Sequence, residues 1–165
     1  TGLLFYTENI WIGTAIKHLN KPNIAIAEEG NIPLDMFFSV TTGYEFDIAS
    51  YVDPVFLPYE TRMMLTANFM KQAQYNRLDL GTALIFNNLS LGTTFAFNPM
   101  PQSSTSPLLT SVNFFTGLQY ENFKVGLSYD TITSKIGKTG GTFELGLVYQ
   151  FDVDARKCFG CPINE

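Results

Sequence analysis

The sequence predicts an all-β protein, an antiparallel transmembrane β-barrel of which about nine strands are present. Three observations lead to this class. Hydrophobic residues recur at every second position, short and long polar connections follow one another along the chain, and charged residues make up only 15% of it. Because soluble globular domains carry about 25% charged residues, this chain is poor in charge for a protein whose whole surface meets water.

The alternation of hydrophobic and polar residues is clearest near the C-terminus. One face of a predicted strand there holds Phe143, Leu145, Leu147, Tyr149 and Phe151, and the other holds Thr142, Glu144, Gly146 and Gln150, with Val148 as the exception. A period of two is that of a β-strand. The same alternation predicts earlier strands within residues 10–17, 36–47, 55–68, 77–86, 89–97 and 123–130, and two further strands are predicted at 3–6 and around 112–120. No stretch approaches the roughly 18 to 20 uninterrupted apolar residues of a membrane-spanning helix.

The connections between these strands differ in length. Short turns are predicted near residues 8–9, 87–88 and 121–122, where Asn favours a tight hairpin. A somewhat longer turn is predicted near residues 49–53, and long polar connections within 18–34, 99–110 and 131–141. Numbered along the chain, the short turns are the odd-numbered connections, and the long connections are mainly the even-numbered ones. This alternation is typical of outer-membrane barrels, which place short turns in the periplasm. Pro58 lies inside a predicted strand and removes a hydrogen-bond donor, which predicts that pairing there is locally broken or that the position lies at an edge.

Alternation alone also fits a soluble β-sandwich, and the polar face separates the two folds. The outer face of a sandwich collects Lys and Glu, whereas these polar positions hold mainly Gly, Ser, Thr and Asn with scattered charges, which favours a barrel lumen. Candidates for lumenal ion pairs that plug the barrel, or alternatively for a pore lining, are Glu60, Arg62, Arg77, Asp79, Asp130 and Glu144. Candidates for aromatic girdles at the membrane interfaces, which would be core in a sandwich, are Tyr6, Trp11, Tyr44, Tyr129 and Tyr149.

Several function classes are disfavoured. A net charge of −5 argues against a nucleic-acid partner, which requires a basic surface. His18 is the single histidine and lies in a polar connection without a recognisable triad. The Ser and Thr run at residues 103–106 lacks a Gly-x-Ser-x-Gly setting. We therefore predict a protein that is not an enzyme, with no catalytic residue, cofactor, metal site or small-molecule substrate.

Cys158 and Cys161 form a C-x-x-C pair in a tail, residues 153–165, that follows the last predicted strand. A zinc site needs two further ligands, and a thioredoxin-like pair needs a helix N-terminus. The pair is therefore interpreted as a disulfide-closed or free end in an oxidising periplasm. Two alternatives stay open: a docking element for a periplasmic partner, to which the basic Arg156 and Lys157 would contribute, and metal or redox chemistry.

The last predicted strand carries a specific pattern of residue types. A polar residue, Glu144, is followed by Gly146 and then by two aromatic residues, Tyr149 and Phe151. This arrangement resembles the signal that the outer-membrane insertion machinery recognises on the final strand of its clients.

A wider resemblance follows from the last two strands. The run Val125-Gly126-Leu127-Ser128-Tyr129-Asp130, followed after a loop by Gly140-Gly141-Thr142-Phe143-Glu144-Leu145, resembles the closing hairpin of the PorP/SprF family. Thr142 and Phe143 stand where that family has Ser and His. Shorter pieces similar to the family lie in the same order at residues 5–13, 19–23, 42–44, 57–58 and 89–92.

This resemblance implies a non-enzymatic outer-membrane component of the type IX secretion and gliding machinery, which supports assembly or the export of surface proteins. Its expected partners are outer-membrane lipid, other secretion components and the secreted surface proteins. Family members resemble barrels of roughly twice this length, so residues 1–152 are expected to be the C-terminal part of one barrel, with further strands before Thr1, and residues 153–165 a periplasmic tail. A passive or substrate-binding outer-membrane porin is the alternative function.

Overall fold

The computed structural model describes residues 1–26, 30–48, 61–101, 107–133 and 140–151. In these residues the chain forms β1 (Gly2–Tyr6), β2 (Ile10–Lys17), β3 (Phe37–Asp47), β4 (Arg62–Gln72), β5 (Tyr75–Phe86), β6 (Leu89–Phe97), β7 (Leu109–Tyr120), β8 (Phe123–Ile132) and β9 (Thr142–Tyr149). None of the residues in these ranges lies in an α-helix, so this part of the chain has no helix suited to crossing a membrane.

All nine strands belong to one sheet, in the order in which they occur in the sequence. Each strand pairs antiparallel with the next, from β1 with β2 to β8 with β9. No second sheet packs on it within the described ranges, which excludes a β-sandwich there. The fold is thus a section of an antiparallel β-barrel wall that is not closed: β1 and β9 are its two edges.

The strands lie where the alternation predicts them, with one displacement. β4 begins at Arg62 and ends at Gln72, whereas the sequence predicts a strand within residues 55–68. The predicted turn at 49–53 and the predicted break at Pro58 lie outside the described residues.

Three two-residue turns contain a residue with positive φ. Asn87 and Glu121 each have a φ of 49° and begin the turns after β5 and β7. The turn between β4 and β5 begins with Ala73, whose φ is 52°. The sequence does not predict this turn, because Ala73 and Gln74 lack the Gly, Asn or Asp that usually marks a positive φ.

The connection lengths depart from the predicted alternation in the middle of the sheet. The third connection, between β3 and β4, spans residues 48–61, and the fourth has only two residues. The backbone amide of Ile48 donates to the carbonyl of Thr61 at 3.1 Å, so the two ends of the third connection are tied together. The short first, fifth and seventh connections and the long second, sixth and eighth connections agree with the prediction. The two-residue fourth connection departs from the alternation, and the longer turn predicted near residues 49–53 lies outside the described residues. We call the end with the turns after β1, β5 and β7 the short-turn end, and the opposite end the long-loop end.

The connection between β2 and β3, at the long-loop end, has local order. The Asn23 side chain donates to the carbonyl of Gly30 at 2.8 Å and accepts from the amide of Ile32 at 2.8 Å. Asn23 and Pro33 form an isolated antiparallel bridge. Lys21 and Asp35 form an ion pair at 3.7 Å near the base of the connection.

Candidate functional site

The two faces of the sheet are separated by the strand register. Paired residues point to the same side of a sheet, so one row of partners defines each face. The row Phe46, Met63, Leu84, Leu91, Thr116, Leu127 and Leu145 defines the apolar face. The row Glu45, Met64, Ala83, Gly92, Phe115, Ser128 and Glu144 defines the polar face.

Charge is segregated between these faces. The charged residues on the polar face of the described strands are Lys17, Glu45, Asp47, Arg62, Arg77, Asp79, Lys124, Asp130 and Glu144. Lys71, near the end of β4, is the one charged residue of the described strands that lies on the apolar face. A face that meets acyl chains excludes charge in this way.

The polar face is the concave one. The buried residues of the described strands are Gly13, Gly43, Ala83 and Ala96, and all four lie on the polar face. On the apolar face of strands inside the sheet, in contrast, Leu65 and Leu91 are 41% and 43% exposed. Since no other described layer covers the sheet, burial on one side arises from side chains of that side crowding together as the sheet curves toward them.

Two aromatic rings lie over glycines on the concave face. Trp11 is paired with Gly43, and a Cβ on Gly43 would be 2.4 Å from atoms of the indole ring. Phe115 is paired with Gly92, where a Cβ would be 2.3 Å from the ring. Because glycine has no side chain, each of these two positions leaves room for a ring, and the rings fill part of the concave side.

Trp11 and Tyr6 consequently do not belong to the girdles predicted from the sequence. Both lie on the polar face, where they are paired with each other. The sequence pattern does indicate this face for Trp11, because Trp11 alternates in step with Gly13 and Lys17 and not with Ile10 and Ile12. Tyr44, Tyr129 and Tyr149 lie on the apolar face, as predicted.

The apolar face carries aromatic residues toward both ends of its strands. At the short-turn end, the rings of Tyr44 and Phe46 stack at 5.4 Å, and those of Phe123 and Tyr149 lie 4.7 Å apart. At the long-loop end, the ring of Tyr129 lies 4.4 Å from the ring of Phe143. Aliphatic residues such as Leu127 and Leu145 lie between these aromatic residues, which is the arrangement of a barrel wall in a bilayer.

Ion pairs on the polar face of the described strands include two that involve arginine. Arg62 of β4 pairs with Glu45 of β3, a partner that the sequence analysis did not include. Arg77 and Asp79 of β5 pair at 2.7 Å. Glu60, proposed from the sequence as a lumenal charge, lies outside the described residues.

Two further predicted lumenal carboxylates lie on the polar face near the β9 edge. Asp130 and Glu144 have no ion-pair partner among the described residues, and one carboxylate oxygen of Asp130 is buried without a hydrogen bond to them. Glu144 is exposed and lies opposite Ser128. Only part of the predicted set is therefore paired.

The residues of the predicted insertion signal lie in β9 and directly after it. Glu144 and Gly146 lie on the polar face and Tyr149 on the apolar face, whereas Phe151 lies just after β9 and is 75% exposed. The rings of Tyr149 and Phe151 meet edge to face at 4.8 Å. All eight residues of β9 are exposed, since it is an edge strand of the described sheet.

Glycine is required where the last strand begins. Gly141 has a φ of +91°, and a Cβ there would be 2.6 Å from the Tyr129 hydroxyl oxygen and 2.7 Å from the carbonyl of Asp130. The Tyr129 hydroxyl donates to the carbonyl of Gly140 at 2.7 Å. The pair Gly140-Gly141 and Tyr129 thus form one local structure that closes the hairpin of β8 and β9.

The described residues include no cluster of three or more His, Cys, Asp or Glu that is suited to a metal ion. His18 follows β2 directly and has a φ of 57°. Arg156, Lys157, Cys158 and Cys161 lie outside the described residues.

A single curved sheet with an exposed apolar face and a concave polar face is characteristic of the wall of a transmembrane β-barrel. A comparison with protein families shows which family of membrane proteins the chain belongs to. A model of the family of type IX secretion system membrane proteins PorP/SprF matches residues 1–149. The chain belongs to the PorP/SprF family and is a membrane protein of the type IX secretion system. No curated protein and no solved structure matches the chain.

Proposed function

We propose that this chain acts in the outer membrane as a non-enzymatic part of the type IX secretion machinery, where it supports assembly or the export of surface proteins. The match of the PorP/SprF family over residues 1–149 carries this proposal. The segregation of charge to the concave face adds support, because it is what a strand protein needs in order to face acyl chains. Its partners in this role are other secretion components and the exported proteins.

The proposal includes an orientation. Outer-membrane barrels place short turns in the periplasm, so the turns after β1, β5 and β7 would face the periplasm. β9 runs from the long-loop end to the short-turn end, beside the turn that contains Asn122. Residues 1–152 would then belong to the barrel wall, and residues 153–165 would follow on the periplasmic side.

The tail is proposed as a docking element. Arg156 and Lys157 would supply positive charge for an acidic periplasmic partner, and an oxidising compartment would allow a disulfide between Cys158 and Cys161. Arg156→Glu combined with Lys157→Glu should reduce binding to the secretion complex, measured by co-purification. Cys158→Ser combined with Cys161→Ser leaves those charges unchanged and is the matched control for the contribution of charge.

Deletion of the gene, followed by complementation, tests the function. Loss of type IX cargo from the cell surface, restored by the unmodified chain in its natural gene context, is the expected result. Unchanged cargo secretion after deletion would contradict the proposal. A complementing gene truncated after residue 152 separates the two parts: secretion without binding of the periplasmic partner would show that the tail is dispensable for export.

A further inference from the structure

Lys71 is the exception to the charge segregation. It lies on the apolar face of β4, two residues after Phe69, directly opposite Phe38 on one side and Asn76 on the other. Along this face β4 presents Met63, Leu65, Ala67 and Phe69 before it reaches Lys71. A lysine inside the acyl region would be costly, so its position at the end of the strand requires a separate explanation.

The level of Lys71 along the membrane normal follows from the strand geometry. Residues two apart on a strand are separated by roughly 7 Å along it, so Lys71 lies one such step beyond the aromatic ring of Phe69. Outer-membrane barrels carry girdles of aromatic residues at both interfaces, and Phe69 lies near the end of β4, where such a girdle is expected. The ammonium group of Lys71, at the end of a flexible stem, therefore reaches the level of the lipid headgroups.

The other described cations at the long-loop end have partners. The Lys17 ammonium lies 5.6 Å from the centre of the Phe37 ring on the polar face. Lys21 pairs with Asp35 at 3.7 Å, and Arg77 pairs with Asp79 at 2.7 Å. The carboxylates of Asp35 and Asp79 are thus engaged by other cations. Lys71 is exposed and has no ion pair among the described residues.

We infer that Lys71 binds the phosphate of an anionic membrane lipid at the long-loop end of the barrel wall. The charge of the headgroup supplies the partner that the described residues do not. Phe38 is 38% exposed beside it, on the same face, and would contact the first part of the acyl chains. The apolar surroundings favour a lipid over free phosphate, because free phosphate gains nothing from them. The inference depends on the membrane-facing side of the sheet and not on the role in secretion.

Lipid retention by the full chain, purified from membranes in detergent and measured by native mass spectrometry, tests the inference. The probes are phosphatidylglycerol, phosphatidylcholine with the same acyl chains, and inorganic phosphate. The unmodified protein should retain phosphatidylglycerol about fivefold better than phosphatidylcholine, which is the factor supplied by one lysine near an anionic surface. Lys71→Gln should abolish this preference and Lys71→Arg should keep it. Lys17→Gln, at the same end but on the polar face, is the matched control and should leave the preference unchanged.

A gain of charge gives an independent measurement if Lys71→Gln fails to insert. Asn76→Lys adds an ammonium group directly opposite Lys71 and should raise the retention of phosphatidylglycerol. Equal retention of the two lipids by the unmodified protein, an equal loss in Lys17→Gln and Lys71→Gln, or no increase in Asn76→Lys would each overturn the inference. Displacement of phosphatidylglycerol by inorganic phosphate would overturn the assignment to a lipid. None of these outcomes concerns cargo export, so the proposed function is tested separately.

Discussion

At the scale of single residues, glycine and aromatic residues together shape the concave face. A glycine inside a strand costs roughly 0.5–1 kcal/mol relative to alanine, so its presence calls for a compensating contact. At Gly43 and Gly92 the compensation is the ring of Trp11 or Phe115 lying over the backbone. The ring buries apolar surface that would otherwise face the lumen, and the sheet can curve toward that side.

Gly141 allows a prediction with a control one residue away. Gly141→Ala forces a side chain into a φ of +91° and against Tyr129, and should cost about 1–3 kcal/mol of the free energy of unfolding. Gly140→Ala should be nearly neutral, because no atom lies within 4 Å of the added Cβ. Urea unfolding of the membrane-inserted protein, followed by fluorescence of its one tryptophan, measures both. An equal effect of the two substitutions would show that the backbone at Gly141 is not constrained.

The assignment of the faces is testable at two neighbouring positions. Leu145→Arg places a charge in the middle of β9 on the apolar face and should cost about 2–4 kcal/mol if the site lies near the centre of the bilayer. Ser128→Arg places the same charge on the polar face, opposite Glu144, and should have a much smaller effect. The fraction of protein inserted into vesicles, separated by flotation, measures both variants. A larger loss with Ser128→Arg would reverse the assignment of the faces.

At the scale of strands, regular alternation predicts an element and its faces, and β9 and β8 lie where their periods of two indicate. The predicted range of β4 starts and ends too early because both faces of this strand carry apolar residues. Met64 and Met70 lie on the polar face, and Met63 and Phe69 lie on the other. This mixture weakens the alternation, and the following Ala73-Gln74 turn carries no turn residue. The inward position of Trp11 was missed because an aromatic residue near a strand end fits a girdle as well as a lumen.

The terminal strand allows the insertion signal to be separated from ordinary packing. Tyr149 contacts both Phe123 and Phe151 through ring pairs, each worth about 0.5–1.5 kcal/mol. Tyr149→Ala and Phe123→Ala both remove the pair at 4.7 Å, so they should lower the stability of the inserted protein by similar amounts. Only Tyr149→Ala and Phe151→Ala should also reduce the amount that reaches the membrane in cells, measured by fractionation and resistance to unfolding in cold detergent. Equal accumulation of all three variants would argue against recognition of these residues.

At the scale of the whole molecule, the candidate site within the described ranges is the surface of a sheet rather than a pocket with converging groups. The sequence could predict which side of each strand is polar, because a period of two determines it. It could not predict which charges pair, because the partnership of Arg62 with Glu45 depends on the register between β3 and β4. That register is a property of the two paired strands. Connection lengths alone do not indicate it, since the two-residue turn between β4 and β5 departs from the expected alternation.

The orientation of the whole sheet is the last property to test, and the two connections of β7 offer a matched pair. The connection before β7 spans residues 98–108 at the long-loop end, and the turn after it consists of Glu121 and Asn122 at the short-turn end. An epitope inserted in the longer connection should be recognised by antibody on intact cells. The same epitope in the turn should be recognised only after the outer membrane is permeabilised, because short turns face the periplasm. Flotation of each tagged protein with the membrane fraction confirms that it has inserted. The reverse pattern would invert the orientation and place residues 153–165 outside the cell, whereas an epitope that stays hidden at both positions until the inner membrane is also opened would contradict an outer-membrane location.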